Sequence, residues 1–233
     1  QLYPYAKHLT SLFDETEDVM RSMGTAGTLR IGTSITIGTC FVPRLVRDFR
    51  ALYPRMTIRV TTENTDTITR LLLTNEVDVG LVEGEVHSPF LVVEPYRRDH
   101  LTLVCRPDHP FAHAGKVSPQ DLAAEPLLLR ERGSAVRETF DSLMAAHGLA
   151  PEPAWQSVST QAILQAVRAG LGVSVLPRPL VKDLVDRGEL AAVPVEGTDF
   201  ARDFSIVYHK NKFLSPAFHA FTHLCRESGK EKD

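Results

Sequence analysis

The sequence predicts an α/β fold of two similar lobes preceded by a single helix. Short apolar runs ending in small or hydroxyl residues alternate with helix-periodic stretches from Gly27 onward, the pattern of βαβ units and parallel sheets. The alternation starts twice, as Arg30-Ile31-Gly32-Thr33-Ser34 and as Leu129-Arg130-Glu131-Arg132-Gly133-Ser134. Before Gly27 the apolar spacing is instead that of a heptad.

Composition narrows the class. The chain has 233 residues, of which 43% are hydrophobic and 24% charged. That is enough to bury a core and excludes a disordered chain or a small disulfide scaffold. No apolar run approaches the roughly 18 residues of a membrane span. A net charge of −3 argues against the chain gripping nucleic acid by itself. Cys40, Cys105 and Cys225 are widely spaced in apolar contexts and read as reduced core thiols of a cytoplasmic protein. Gln1 to Met23 is too polar for a signal peptide, and the chain does not begin with methionine, so upstream sequence is expected.

The elements follow in order. Leu2, Tyr5, Leu9, Leu12, Thr16, Val19 and Met23 form an a/d seam with one polar member, Thr16. Asp14, Glu15, Glu17 and Asp18 lie off it, and Gly24 and Gly27 end the helix. Such a helix either lies on its own body or pairs with another chain. Pairing is the favoured reading, with Leu2, Tyr5, Leu9, Leu12, Val19 and Met23 as the dimerisation residues. Leu29 to Gly32 is a short buried strand and Thr33 to Gly38 a polar loop. Pro43 suits the first turn of a helix with Leu45, Val46, Phe49 and Leu52 on one face, stopped by Pro54. Thr57 to Thr62 alternates, placing Ile58 and Val60 inward. Thr65 or Asp66 caps a helix bearing Ile68, Leu71 and Leu72, and Asp78 to Val82 is another buried strand.

The second lobe opens with a strand at Leu101 to Cys105, and His109 and His113 flank Pro110-Phe111 in a loop. Ser118-Pro119-Gln120-Asp121 starts a short helix. Pro126 to Leu129 is a strand and Arg130 to Ser134 a polar loop; a helix with Val136, Phe140, Leu143 and Met144 then runs to Gly148. Ala154 to Val158 is a strand, and Ser159 or Thr160 caps a helix with Ile163, Ala166 and Val167 that Gly170 ends. Gly172 to Leu176, Leu190 to Val195 and Phe204 to Tyr208 are strands. Pro179 and Pro216 start helices, the last carrying Phe218, Phe221 and Leu224.

The hydroxyl loops hold the candidate chemistry. In open α/β sheets ligands bind beyond the carboxyl ends of the strands, where helix N-termini offer free N–H groups and partial positive charge. Ser34 and Thr36, Ser134, and Ser159 and Thr160 stand at such ends. One such hydroxyl alone would merely cap its helix. Three such loops in two similar lobes point to a shared site for a small anion or carboxylate. Arg130, Arg132 and Arg137 flank Ser134. Exposure is the ordinary state of an arginine, and one of the three would pair with a ligand oxyanion. Arg137, three residues after Ser134, points away from the loop tip. Glu83 follows a strand end and faces either a cleft or water. His219 and His223 have a zinc-compatible spacing, but the apolar face of the same helix claims that surface. No metal or cofactor is expected. No P-loop, GxSxG elbow or dinucleotide fingerprint is present, so an enzyme is not expected.

Several motifs together resemble the effector-binding domain of LysR-type transcriptional regulators. They are Gly27-Thr28-Leu29-Arg30-Ile31-Gly32, Phe41-Val42-Pro43-Arg44-Leu45, Phe49-Arg50-Ala51-Leu52-Tyr53-Pro54, Asp78-Val79-Gly80-Leu81-Val82, Asp108-His109-Pro110-Phe111-Ala112 and Val167 to Pro177. They span nearly the whole chain, and Gln1 to Met23 resembles the family's dimerising linker helix. The resemblance implies a two-lobed periplasmic-binding-protein-like (type II) fold. Residues 1–26 would be the linker, 27–99 with 203–227 the first lobe and 100–202 the second. The strands that cross between lobes are expected near His100 to Leu103 and Asp203 to Ile206.

A small effector would sit between the lobes. The resemblance carries Ser34, Thr36, Val82 and Ser134 into that site; Ile35, Glu83, Arg130 and Thr160 complete the expected set. Val82 departs from relatives with a hydroxyl there. The segment from Leu129 to Arg137 resembles members that respond to inorganic sulfur species or carbon-fixation metabolites, a hint toward a small anionic effector. The expected partners are that effector, further copies of the chain in a dimer or tetramer, and DNA only through a winged helix-turn-helix before Gln1. No membrane is expected as a partner. The rival classes are a transporter's free-standing solute-binding protein and an enzyme on a similar fold.

Overall fold

A computed structural model of the chain describes residues 26–230 and the helical positions Ala6, Thr10 and Phe13. The expected dimerisation residues Leu2, Tyr5, Leu9, Leu12, Val19 and Met23 lie outside the described residues. In chain order the elements begin β1 (Gly27–Thr33), α1 (Ile35–Cys40), α2 (Val42–Leu52), β2 (Met56–Thr62), α3 (Thr65–Leu73), β3 (Val79–Glu83) and β4 (Leu91–Cys105). They continue α4 (Pro110–Ala114), α5 (Pro119–Ala124), β5 (Leu128–Arg130), α6 (Ala135–Ala146), β6 (Trp155–Ser157) and α7 (Thr160–Arg168). The last are β7 (Ser174–Pro177), α8 (Arg178–Asp186), β8 (Ala191–Val193), β9 (Ala201–His209) and α9 (Pro216–Lys230). The chain divides into two units between Arg98 and Asp99 and between Arg202 and Asp203.

In the first unit the strands run β2-β1-β3-β9-β4. β1 is parallel to β2 and β3, and β9 is antiparallel to β3. Burial on both faces explains the apolar composition of β3. Val79 and Leu81 pack with Leu29, Ile31, Phe49 and Phe221 on the face covered by α2 and α9. Val82 packs with Ile68, Leu72 and Val207 on the face under α3. Gly32 and Gly80 are paired across β1 and β3 beneath that helix. A Cβ on Gly32 would stand 2.9 Å from Ile68, and one on Gly80 2.8 Å from Leu72, so glycine allows α3 its close approach.

A buried charge network sits at the amino end of β3. Asp78 is 5% exposed. It accepts from the Arg30 backbone N–H at 2.6 Å and from its Nη2 at 2.6 Å. Lys212 Nζ, from the turn after β9, donates to Asp78 at 2.6 Å and to the Asn75 side chain at 3.4 Å. Burial opposes ionisation of Asp78, but its hydrogen bonds and the charges of Arg30 and Lys212 prevail and hold its carboxyl below the usual range.

In the second unit β4 pairs antiparallel with β7 and β8, and β5 pairs parallel with β6. One apolar cluster joins Leu103, Leu129, Val136, Phe140, Met144 and Val175. The other joins Val104, Leu128, Ile163, Val167, Leu176 and Val181. The two alternate along β4, β5 and β7, as strand geometry requires. Gly172, with φ 154°, lets the Pro126 carbonyl approach closely. That carbonyl accepts from the Val173 N–H at 3.0 Å, and the Val173 carbonyl accepts from the Leu128 N–H at 2.9 Å.

Four local expectations are corrected. The segment expected as a loop from Thr33 to Gly38 is largely α1, because Ile37 has an apolar site to fill and is fully buried. Val60 is 43% exposed rather than inward, since β2 is an edge strand with a mostly exposed burial pattern. β4 begins at Leu91, ten residues before the expected start, its first half concealed by Pro95 and charged residues. His109 caps α4, a short helix where a loop was expected, its ring accepting from the Phe111 N–H at 3.2 Å.

The thiols of Cys105 and Cys225 are buried. Burial pushes them up to about 11 and about 12, where little reactive thiolate forms.

Candidate functional site

The carboxyl ends of β1 and β3 bring Ser34, Thr36 and Glu83 together. Ser34 stands at the N-cap of α1 but makes no cap bond to its own helix. Its hydroxyl instead donates to Glu83 Oε1 at 2.7 Å, and the Thr36 backbone N–H donates to the same oxygen at 3.1 Å. A carboxylate from a neighbouring strand thus does the capping that a serine usually does, with the charge that a helix N-terminus favours. Glu83, expected to face a cleft or water, is 3% exposed. The Thr65 hydroxyl donates to its backbone carbonyl at 3.3 Å. Ile35 is half-buried at the start of α1. Val82, expected among the effector contacts, has its side chain wholly in the apolar cluster under α3, since it points to the opposite face of β3 from its neighbours.

The second unit has its own polar cluster at the end of β5. Arg130 is buried. Its Nε and Nη2 hold the Glu131 carboxylate at 2.8 and 2.9 Å, and its Nη1 donates to the Thr160 hydroxyl at 3.1 Å. An arginine carries more N–H donors than these bonds engage. Ser134 is 3% exposed and occupies the N-cap of α6, again without a cap bond to its helix. Ser159 behaves differently, accepting from the Ala162 N–H at 3.2 Å as a true cap of α7. Of the flanking arginines only Arg132 is exposed. Arg137 is buried, its Nε on both Asp141 oxygens at 2.8 Å and its Nη1 on the Arg130 carbonyl and Gln156 Oε1 at 3.4 Å.

Glu131, Asp141 and Gln156 were not among the sequence candidates. An acidic residue directly after Arg130 was the available signal for Glu131. Nothing local marked Gln156 as a neighbour of Arg137.

Strand order 2-1-3 with an antiparallel insertion, and hydroxyl N-caps relieved of capping at the strand ends, define a ligand-binding α/β module. The model for the LysR substrate binding domain matches residues 22–230, and the chain belongs to that family. It is similar to the HTH-type transcriptional regulator YeiE of Escherichia coli strain K12, 35% identical over 224 residues, covering 96% of this chain and 75% of that protein. It is also similar to the HTH-type transcriptional regulator CysL of Bacillus subtilis strain 168, 30% identical over 210 residues, with 89% and 70% covered. Among solved structures it resembles the CcmR regulatory domain of Synechocystis PCC6803 in complex with 2-PG, with TM-score 0.80, 26% identity and coverage of 88% and 98%.

The fold is the type II periplasmic-binding-protein-like fold of these effector-binding domains. The chain is the effector-sensing domain of a LysR-type regulator rather than a transporter's binding protein.

Proposed function

We propose that the chain senses a small anionic metabolite through Ser34, Ile35, Thr36 and Glu83 in the first unit and Arg130, Ser134 and Thr160 in the second. The observation that carries this reading is Ser134, a buried hydroxyl at the N-cap of the 12-residue α6 that makes no cap bond to its own helix, four residues after the buried Arg130. A helix N-terminus, a hydroxyl and a guanidinium suit an oxyanion or carboxylate. The CcmR regulatory domain, solved in complex with 2-PG, supports a small-molecule effector. Val82, its side chain packed under α3, belongs to the proposed set through its backbone near the end of β3.

The role is regulatory, not catalytic: effector binding biases a DNA-binding domain carried in a longer protein, in a cytoplasmic dimer or tetramer. Among the described residues no helix is long and apolar enough to cross a membrane. An effector shifts the regulator only by its differential affinity for two conformations.

The test is a thermal-shift and calorimetric panel of sulfite, sulfate, thiosulfate, phosphate, phosphorylated sugars and small carboxylates at fixed ionic strength. A ligand at a hundred times its Kd adds about 2.7 kcal/mol to stability. Ser134→Ala is expected to weaken the binder by roughly 10- to 100-fold, the loss of a hydrogen bond to a charged group. A panel with no binder, or equal binding by Ser134→Ala, would overturn the reading.

A further inference from the structure

We infer that Glu83 makes the first unit's part of the effector site an acceptor, so that the effector presents a hydrogen-bond donor to Ser34. This rests on the reading of Ser34 and Glu83 as effector contacts. A serine hydroxyl has one proton to donate, and Ser34 gives it to Glu83 at 2.7 Å. A backbone N–H likewise has one, and Thr36 gives it to the same oxygen at 3.1 Å. The Ser34 hydroxyl and the Thr36 backbone N–H are therefore engaged inside the protein. What the Ser34 oxygen has left for a ligand is lone pairs. Behind them stands a buried carboxylate, whose charge repels an ionised ligand oxygen and favours a ligand hydrogen.

The chemical class follows. The matching group is a hydroxyl, an ammonium or the protonated oxygen of an oxyanion. A fully ionised oxyanion such as sulfate has no proton to offer and meets like charge. The anionic end of the effector is left to the donors around Ser134 and Arg130. A hydroxy- or amino-carboxylate, or an oxyanion that keeps a proton at neutral pH, satisfies both demands; a bare dianion satisfies one.

The experiment uses matched pairs of probes on the 233-residue chain at pH 7 and constant ionic strength. Inorganic phosphate, which retains a proton, is set against sulfate, which does not, and glycolate against acetate. The wild-type protein is expected to prefer the proton-bearing member of each pair by at least about tenfold, because a site built to bond a ligand proton rejects the analogue lacking it. Glu83→Gln removes the repelling charge and is expected to raise sulfate affinity until the preference is lost. Ser34→Ala, a milder change should Glu83→Gln fold poorly, is expected to weaken only the proton-bearing probes. Equal wild-type binding of sulfate and phosphate, or an unchanged ratio in either variant, would overturn the inference while leaving the effector reading intact. Failure of the wild-type protein to bind any of the four would overturn the inference, and the wider panel above decides the effector reading separately.

Discussion

Asp78→Ala is expected to lower the stability of the first unit by about 3–5 kcal/mol, the range for removing one partner of a buried ion pair. The reason is what stays behind. Lys212 has a side chain 4% exposed, and without Asp78 its buried ammonium loses the carboxylate it meets at 2.6 Å. Arg30, 28% exposed along its side chain, reaches water more readily. At about 2–4 °C per kcal/mol for a chain of this size, thermal denaturation followed by circular dichroism should fall by roughly 10 °C. Adding Lys212→Met to Asp78→Ala should recover much of the loss, because a buried apolar group replaces a buried charge that has lost its carboxylate. A fall of under 1 kcal/mol, or no recovery in the double variant, would remove the network from the account of stability.

The pH dependence of that network has a definite sign. Asp78 titrates below its ordinary 3.8 in the folded protein, so the unfolded chain takes up its proton first as pH falls. The contribution is whole above about 3.8 and fades as pH drops through the lower folded value. The stability gap between wild type and Asp78→Asn should therefore be constant near neutrality and narrow only in strong acid.

Gly172→Ala is expected to be the most damaging single change in the second unit. Its φ of 154° is strained for an L-residue, and the added methyl would overlap the Pro126 carbonyl oxygen. A strained backbone alone costs about 1–3 kcal/mol. Here the obstacle is a backbone atom that cannot swing aside like a flexible side chain, and displacing it breaks the Val173–Pro126 and Leu128–Val173 hydrogen bonds that tie the approach to β7 to the approach to β5. Gly115→Ala is the control. Its φ is 76°, yet nothing lies within 4 Å of the added methyl. Urea denaturation should show at least about 3 kcal/mol lost for Gly172→Ala and roughly 1 kcal/mol for Gly115→Ala. Equal losses would mean that the dihedral angle, and not the carbonyl, is the constraint.

The parts of the fold legible from sequence are those whose cause is local. The Val42–Leu52 helix announces itself by the spacing of Leu45 and Phe49 and by Pro43 in its first turn. β3 does so by an apolar run buried on both faces. The first half of β4 does not, because Pro95 and the charges of Glu94, Arg97 and Arg98 break the alternation while the hydrogen bonds come from a strand a hundred residues away.

The polar clusters divide in the same way. Hydroxyls at strand ends mark where to look, and Arg130 with Thr160 do meet. That Ser34 donates to Glu83, 49 residues further on, is a tertiary fact without local pattern. Small hydroxyl residues ahead of a helix read as caps, and only the fold reveals which of them are excused from that task.

The position of β9 bears on how the protein is made. It lies between β3 and β4 in the first unit, yet it begins at Ala201. A chain emerging amino end first has made β3, wholly apolar apart from Gly80 and Glu83, long before the strand that covers its flank exists. Residues 99–202 are contiguous and can close on their own in the meantime. Until β9 arrives, the nascent first unit carries an unpaired apolar strand edge, a template for misassembly. The strand order thus makes the first half of the chain wait for its last strand, while the second half needs nothing beyond its own residues to pair.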